Sequence, residues 1–361
     1  MNERIDFSTN QHTANSVLYM PVLPDYIYTY ACHEDEQELC LLELRRLLMN
    51  DPTSRYVRSP ICIAPERSPF IHQRLDIWIT TDTLEELEQH VRELQLAERN
   101  TVAGIEIERA LAAKSIAERR VQLAVNVAAL TFKLVCLEGD RSLSYEEKRS
   151  LERRIGMNVR AKAQMKQPDV WLGMIYVDGQ WLFGQLWQGE SVWLQHNDKP
   201  HHYSTALSTR VARAVVNIAM PQIEKRTLLD PCCGIGTVLI EALSMGINVT
   251  GSDLNPLAVQ GARANLLFYG MPDIVRIADL RQLDGMYDAV ILDLPYNLCS
   301  VLEAAARLDM LRATTRLARL QVIISTEPLE HSLAAAGLVL SEVCRLRKGR
   351  FTRYVWLCMV E

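Results

Sequence analysis

Hydrophobic and polar positions follow two different rhythms along the chain, and the change falls between residues 188 and 200. In the first part, strand-like runs and helical stripes succeed one another without a fixed order. Tyr26-Ile-Tyr-Thr-Tyr-Ala-Cys is aromatic and β-branched, which predicts a strand. Glu34 to Met49 then carries Leu39, Leu42 and Leu47 at helical spacing. Ser59 to Pro65 and Leu75 to Thr81 predict further strands, and Asp82 or Thr83 is placed to cap a helix that follows. Residues 115 to 135 are helical or strand-like in turn, and Ser144 to Ile155 predicts a helix charged on most faces. Two strands then meet at Asp178-Gly179, a dipeptide suited to a two-residue hairpin turn. Gln188 to Pro200, with Gly189, Asn197, Asp198 and Pro200, reads as a connection. The expected units are therefore residues 1–190, a mixed α+β region, and residues 201–361.

Beyond the connection, strands alternate with helices, the signature of βαβ units and a parallel sheet. Strands are predicted at Thr227 to Pro231, Asn248 to Asp253, Val275 to Asp279, Ala289 to Leu292 and Gln321 to Ser325, with helices at Gly236 to Met245, Pro256 to Tyr269 and Leu302 to Leu320. Val339 to Arg347 and Arg353 to Val360 break the alternation and predict a closing antiparallel pair. The fold class is α/β.

Composition narrows the function classes. A chain of 361 residues with 48% hydrophobic and 23% charged residues is long enough for two cores, at roughly 100 to 200 residues per domain. Its apolar runs, such as Val121 to Leu130, fall short of the roughly 20 residues of a membrane span, and the start of the chain lacks an export signal. Nine cysteines, an odd number, then predict reduced thiols in the cytoplasm rather than a disulfide framework. Cys32-His33 and Cys40 lack a second ligand pair, so no metal is expected. A net charge of -5 argues against a uniformly basic nucleic-acid binder, yet Arg141 to Gln167 holds eight basic residues against three acids.

The candidate chemistry sits on the parallel sheet. Strand Leu228-Leu-Asp-Pro runs into Cys232-Cys-Gly-Ile-Gly-Thr and a helix, placing Gly234 and Gly236 where open α/β sheets bind ligands. Leu239 stands where a dinucleotide fingerprint would have its third glycine, which disfavours a pyrophosphate. Asp253 ends the next strand at the spacing of a ribose-binding acid, or caps the helix that starts near Pro256. Asp279 ends the third strand and could meet an adenine amino group, or be a surface carboxylate.

Taken in order, Asp230-Pro-Cys-Cys-Gly-Ile-Gly-Thr, Asp253, Asp279 and Asp293-Leu-Pro-Tyr resemble the class I S-adenosylmethionine-dependent methyltransferases. The resemblance covers the second half and implies a Rossmann-like domain whose cofactor contacts come from Asp230, Cys232, Gly234, Gly236, Thr237, Asp253, Leu254, Asp279, Leu280 and Ser208. Asp293, Leu294, Pro295 and Tyr296 resemble the Asp/Asn-Pro-Pro-Tyr/Phe motif of enzymes that methylate planar nitrogens. In such a motif Asp293 and the Leu294 carbonyl would accept the hydrogens of the target nitrogen, and Tyr296 would stack on the flat substrate. Leu294 stands where the pattern has its first proline, which keeps the carbonyl and leaves the loop less stiff.

His202 to Ala219 is similar to the segment before the catalytic sheet of the tRNA guanosine N2-methyltransferases, and Asn158 to Gly184 resembles the THUMP RNA-binding domain found before it. That family implies a cytoplasmic enzyme that methylates structured RNA, with Arg149, Arg153, Arg154, Arg160, Lys162 and Lys166 on the RNA and the rings of Trp171, Trp181 and Trp193 either beside it or in the core. N6-adenine methylation, protein glutamine methylation and a non-catalytic RNA-binding role remain as alternatives.

Overall fold

The computed structural model describes residues 25–94, 130–204, 206–295, 303–348 and 351–360. Expectations for residues 115–129, for Tyr296 and for the turn at residues 349–350 lie outside them.

The first half is built on a seven-stranded sheet of β1 (Tyr26–Tyr30), β2 (Tyr56–Ser59), β3 (Ile71–Thr81), β4 (Thr131–Cys136), β5 (Lys162–Ala163), β6 (Val170–Val177) and β7 (Gln180–Gln188), in the order β2-β1-β3-β7-β6-β4-β5. The β6–β7 hairpin turns on Asp178 and Gly179 with φ of 50° and 84°, positive at both positions as a tight hairpin turn demands. Helices α2 (Leu84–Glu93, capped by Thr83) and α3 (Tyr145–Gly156, held by a Ser144–Glu147 capping box) cover one face. Leu87, Val91 and Ile155 meet Phe132, Leu134, Leu172 and Phe183 there. One expectation is corrected. The strand expected at Ser59 to Pro65 ends at Ser59, because Pro60 cannot donate to a ladder and Pro65 opens a short 3-10 turn. Trp181 and Trp193 are core residues, 5% and 6% exposed, because both rings are large enough to close gaps in the packing.

The second half carries β8 (Thr227–Asp230), β9 (Asn248–Asp253), β10 (Val275–Ile277), β11 (Tyr287–Asp293), β12 (Ala318–Ser325), β13 (Leu338–Lys348) and β14 (Phe351–Val360) in the order β10-β9-β8-β11-β12-β14-β13. Counted within this unit the order is 3-2-1-4-5-7-6, with only the seventh strand reversed. This is a Rossmann-like, doubly wound sheet. Its direction of winding switches between β8 and β11, the place where open α/β sheets form their ligand crevice. Helices α4 (Thr209–Ala219), α5 (Thr237–Ser244), α6 (Pro256–Phe268), α7 (Ala304–Thr315) and α8 (Glu330–Ala335) complete it. The helix expected to run to Leu320 ends at Thr315, since Ala318 to Leu320 already pair with β11 and β14.

The two halves share a core. Helix α1 (Gln37–Leu48) packs against α4 and β13 as well as its own sheet. Its Leu39, Leu42, Leu44, Leu47 and Leu48 are at most 3% exposed and belong to the same apolar cluster as Val215, Leu228 and Val355. At about 1.5 to 3 kcal/mol per buried leucine, this contact is large enough to fix the halves against each other. A polar seam runs beside it. Glu43, fully buried, accepts from Ser68 Oγ and Asn217 Nδ2 at 2.6 Å each, and Arg67 Nε donates to Asn217 Oδ1 at 2.7 Å.

Candidate active site

A cavity of about 580 Å³ opens at the carboxyl ends of β8, β9 and β11, on the switch point. The glycine loop forms its floor. Gly234 has φ 53°, and a Cβ built on it would touch nothing within 4 Å, so the backbone there faces open cavity. Gly236, with φ 81°, serves a different purpose. It precedes α5, and a Cβ on it would stand 3.3 Å from Ala262 of α6, so it lets the loop approach that helix from behind the wall.

Four carboxylates converge on the cavity. Asp230, at the end of β8 and 2% exposed, is pushed well above the usual carboxylate range by burial and by the facing charge of Asp293, against a hydrogen bond from the Cys232 backbone. Burial likewise pushes Asp293 up to about 7, against the pull of the Arg353 guanidinium. Asp253 crosses from β9 to the loop: Oδ2 accepts from Gly234 N at 2.9 Å and Oδ1 from Asn255 N at 2.8 Å. Helix α6 is capped by Asn255, so Asp253 is not the cap, and each of its oxygens keeps a lone pair for a hydroxyl. Asp279 is gripped by Arg281 through contacts of 2.6 to 3.1 Å, which hold its carboxyl below the usual range. Leu254, 62% exposed, and Leu280, 4% exposed, supply flat apolar wall.

The cavity's chemistry fits a ligand that carries hydrogen-bond donors and positive charge. Asp293 Oδ1 and Thr237 Oγ1 are both buried, both on residues that line the cavity, and both without a partner. An orphaned acceptor in a protein interior is a cost that a ligand can remove. Of the cations lining the cavity, Arg281 is already spent on Asp279, which leaves a surplus of carboxylate. Among the described residues no group of three His, Cys, Asp or Glu side chains could hold a metal ion. Cys232 lines the cavity with its thiol pushed well up by burial and by Asp230, which makes it inert packing rather than a nucleophile.

Leu294 alters the expected looseness of the target motif. Its side chain is 4% exposed in the apolar cluster around Val290 and Ile323, and its N–H donates to Ile324 O at 3.0 Å. A proline could not make that bond, so this chain fixes the loop by extending the β11–β12 ladder instead of by ring stiffness. Leu294 and Pro295 both line the cavity beside Asp293.

Thus the structure brings Asp230, Cys232, Gly234, Thr237, Asp253, Leu254, Asp279, Leu280, Asp293, Leu294 and Pro295 to one cavity. Ser208 lies apart from its lining, capping α4 through Val211 N at 3.3 Å. Sequence reasoning missed Arg281 and Tyr203, which also line it, and Asn265, which braces it. Asn265 alone left a signal: a carboxamide on the buried stripe of α6 formed by Ala258, Ala262 and Leu266.

Residues 197–318 match the family model UPF0020, described as RMKL-like, methyltransferase domain. Over those residues the second half is similar to a methyltransferase domain. The chain is 40% identical over 104 residues to a tRNA (guanine(10)-N2)-dimethyltransferase of Methanothermobacter thermautotrophicus, a stretch that is 28% of this chain and 30% of that protein. A protein of the same name from Pyrococcus abyssi is 36% identical over 110 residues, 29% of this chain and 32% of its own. The chain therefore matches about a third of the length of these relatives. Among solved structures, TrmN from Thermus thermophilus superposes with a TM-score of 0.46 and 18% identity, covering 93% of this chain and all of that one.

If Asp253 holds a ribose, Asp253→Ala should weaken binding of S-adenosylhomocysteine by about 1.5 to 3 kcal/mol, the worth of a hydrogen bond to a charged group. Because the same carboxylate braces Gly234 N, circular dichroism and melting must be unchanged for the loss to count. Calorimetry showing an unchanged affinity would remove the assignment.

Proposed function

We propose that this chain is an S-adenosylmethionine-dependent methyltransferase acting on the exocyclic N2 of a guanosine in tRNA. The observation that carries the reading is Asp293, whose enclosed, unpartnered Oδ1 stands with the Leu294–Pro295 turn in the same cavity as the glycine loop. The relatives named as tRNA (guanine(10)-N2)-dimethyltransferases support the choice of substrate.

Asp230, the Gly234 backbone and Thr237 would hold the methionyl end of the cofactor, Asp253 its ribose, and Leu254, Asp279 and Leu280 its adenine side. When bound, it supplies a methyl group activated on a positively charged sulfur. The chain's own residues deal with the nucleophile. An exocyclic amino group shares its lone pair with the ring and is a poor nucleophile until its hydrogens are drawn out of plane. Asp293 accepts one of them, and the Leu294 carbonyl accepts the other. Both acceptors gain strength as positive charge develops on nitrogen, so they stabilise the transition state more than the ground state.

The first half would present the RNA. Arg153, Arg160, Lys162 and Lys166 are exposed, whereas Arg149 is engaged with Glu152 and Arg154 with Glu85 and Glu88. Phosphates would meet the four exposed cations first. Lys133 stands 4.4 Å over the half-buried Trp171 ring on the same sheet, a second cation beside an aromatic face. Among the described residues no helix is long and apolar enough to cross a membrane.

Labelled cofactor, full-length protein and bulk unmodified tRNA test the reading. Nucleoside mass spectrometry should find the label as N2-methylguanosine or its dimethyl form. Label on adenine or in protein would replace the substrate, and cofactor binding with no transfer to any of these would leave an RNA-binding protein.

A further inference from the structure

We propose that Tyr203 is a substrate-stacking residue, forming a wall of the cavity against which the flat face of the target base lies. The inference rests on the reading of the cavity as a base-methylating site. Its ground is the path of the segment that carries the ring. His201 is held at α6, on the β9 side of the sheet, and Ser208 starts α4, which packs over β11 and β12; between them Tyr203, Ala206 and Leu207 line the cavity. At one end the segment is clamped. Asn265, fully buried, accepts from His201 N at 2.9 Å and donates to His201 O at 3.1 Å and to Ile235 O at 2.9 Å. One carboxamide thus ties the segment to both α6 and the glycine loop, with its oxygen and both hydrogens satisfied. At the other end Leu207 is 5% exposed and Ser208 caps α4.

Between these anchors Tyr203 O accepts from Ala206 N at 3.1 Å, and the Tyr203 side chain remains 46% exposed while lining the cavity together with Asp293 and Pro295. The half-exposed ring presents apolar, flat area to the cavity that a planar ligand can cover. A purine that slid into the cavity would cover it. The deeper wall, made by Asp230, Gly234 and Asp253, is already matched to polar and charged ligand groups, so the ring at the mouth is left for the part of the reaction that comes from outside. Stacking tolerates any planar base and supplies affinity without hydrogen-bond readout, which complements Asp293 as the group that selects an amino nitrogen.

The test compares Tyr203→Ala, Tyr203→Phe and Tyr203→Trp in the full chain. Tyr203→Ala should raise KM for bulk unmodified tRNA about 5- to 100-fold, the range of a lost base–aromatic stack. Its kcat and its calorimetric affinity for S-adenosylhomocysteine should stay within about twofold, because uniform binding is what has been removed. Tyr203→Phe should behave as wild type. With S-adenosylhomocysteine present, guanosine 5′-monophosphate should quench the added indole of Tyr203→Trp beyond any quench in wild type. The proposal is overturned if Tyr203→Ala loses cofactor affinity with KM unmoved, if Tyr203→Phe is as impaired as Tyr203→Ala, or if no extra quench is seen. Should wild-type protein methylate no RNA, the functional reading fails by itself, and the quench alone decides the role of the ring.

Discussion

Asp293→Ala should lower methyl transfer by about 10²- to 10⁴-fold, the usual contribution of a positioned proton acceptor, while affinity for the cofactor changes little. The expectation follows from where the carboxylate stands. Oδ1 is enclosed and unpartnered, so an arriving N–H would complete it. The same burial that orphans the atom pushes its pKa up to about 7. The sign is then fixed: below that value the carboxyl is neutral and cannot accept two ways, so kcat/KM should rise as pH climbs through 7 and level off above it. Asp293→Asn should abolish this titration and retain little activity. Single-turnover rates across pH, beside calorimetric binding, check all three outcomes. A flat profile in the wild type, or loss of cofactor binding in proportion to rate, would remove Asp293 from the chemistry.

The parallel half of the molecule was legible because its rules are local. Alternating runs gave strands such as Asn248–Asp253 at their observed bounds, and the acids that end those strands fell together because strand ends converge at a switch point. What was hidden depends on contacts across the chain. The hold of Arg281 on Asp279 needs side-chain geometry, since two residues of opposite charge in a loop usually point to solvent. The stiffness of the turn at Leu294 depends on a carbonyl thirty residues away, at Ile324, and could not be seen from the motif, where the missing proline suggested the opposite. Tyr203 carries no pattern at all. Its segment is anchored by Asn265, on a helix that the sequence predicts without saying what it holds. The union of the halves was hidden for a similar reason: leucines on one face of α1 announce burial, without saying that the surface they bury against is α4.

That union suggests the largest stability effect in the molecule. Arg213 on α4 is 3% exposed and spends its guanidinium on both halves at once. It donates to Glu66 O at 2.7 Å and Arg67 O at 3.1 Å on one side, and to Glu241 Oε2 at 2.9 Å and Ser244 Oγ at 3.1 Å on the other. Glu241 is fully buried, and its second oxygen lies 2.7 Å from His196 Nδ1. Removing one member of a buried pair leaves the other charge without compensation, so Arg213→Ala should cost about 3 to 5 kcal/mol of unfolding free energy. Arg213→Lys should lose somewhat less, keeping the charge but not the fork that reaches carbonyls and carboxylate together. The cause of the loss can be separated from the loss itself. If the stranded carboxylate of Glu241 dominates, then adding Glu241→Gln to Arg213→Ala should recover part of the stability, although Glu241→Gln alone destabilises. Denaturant titration of the four proteins gives the cycle directly. A double variant less stable than Arg213→Ala would mean that the carbonyls of Glu66 and Arg67, left without donors at the seam, carry the cost instead, and that the guanidinium serves mainly to bind the first half to the second.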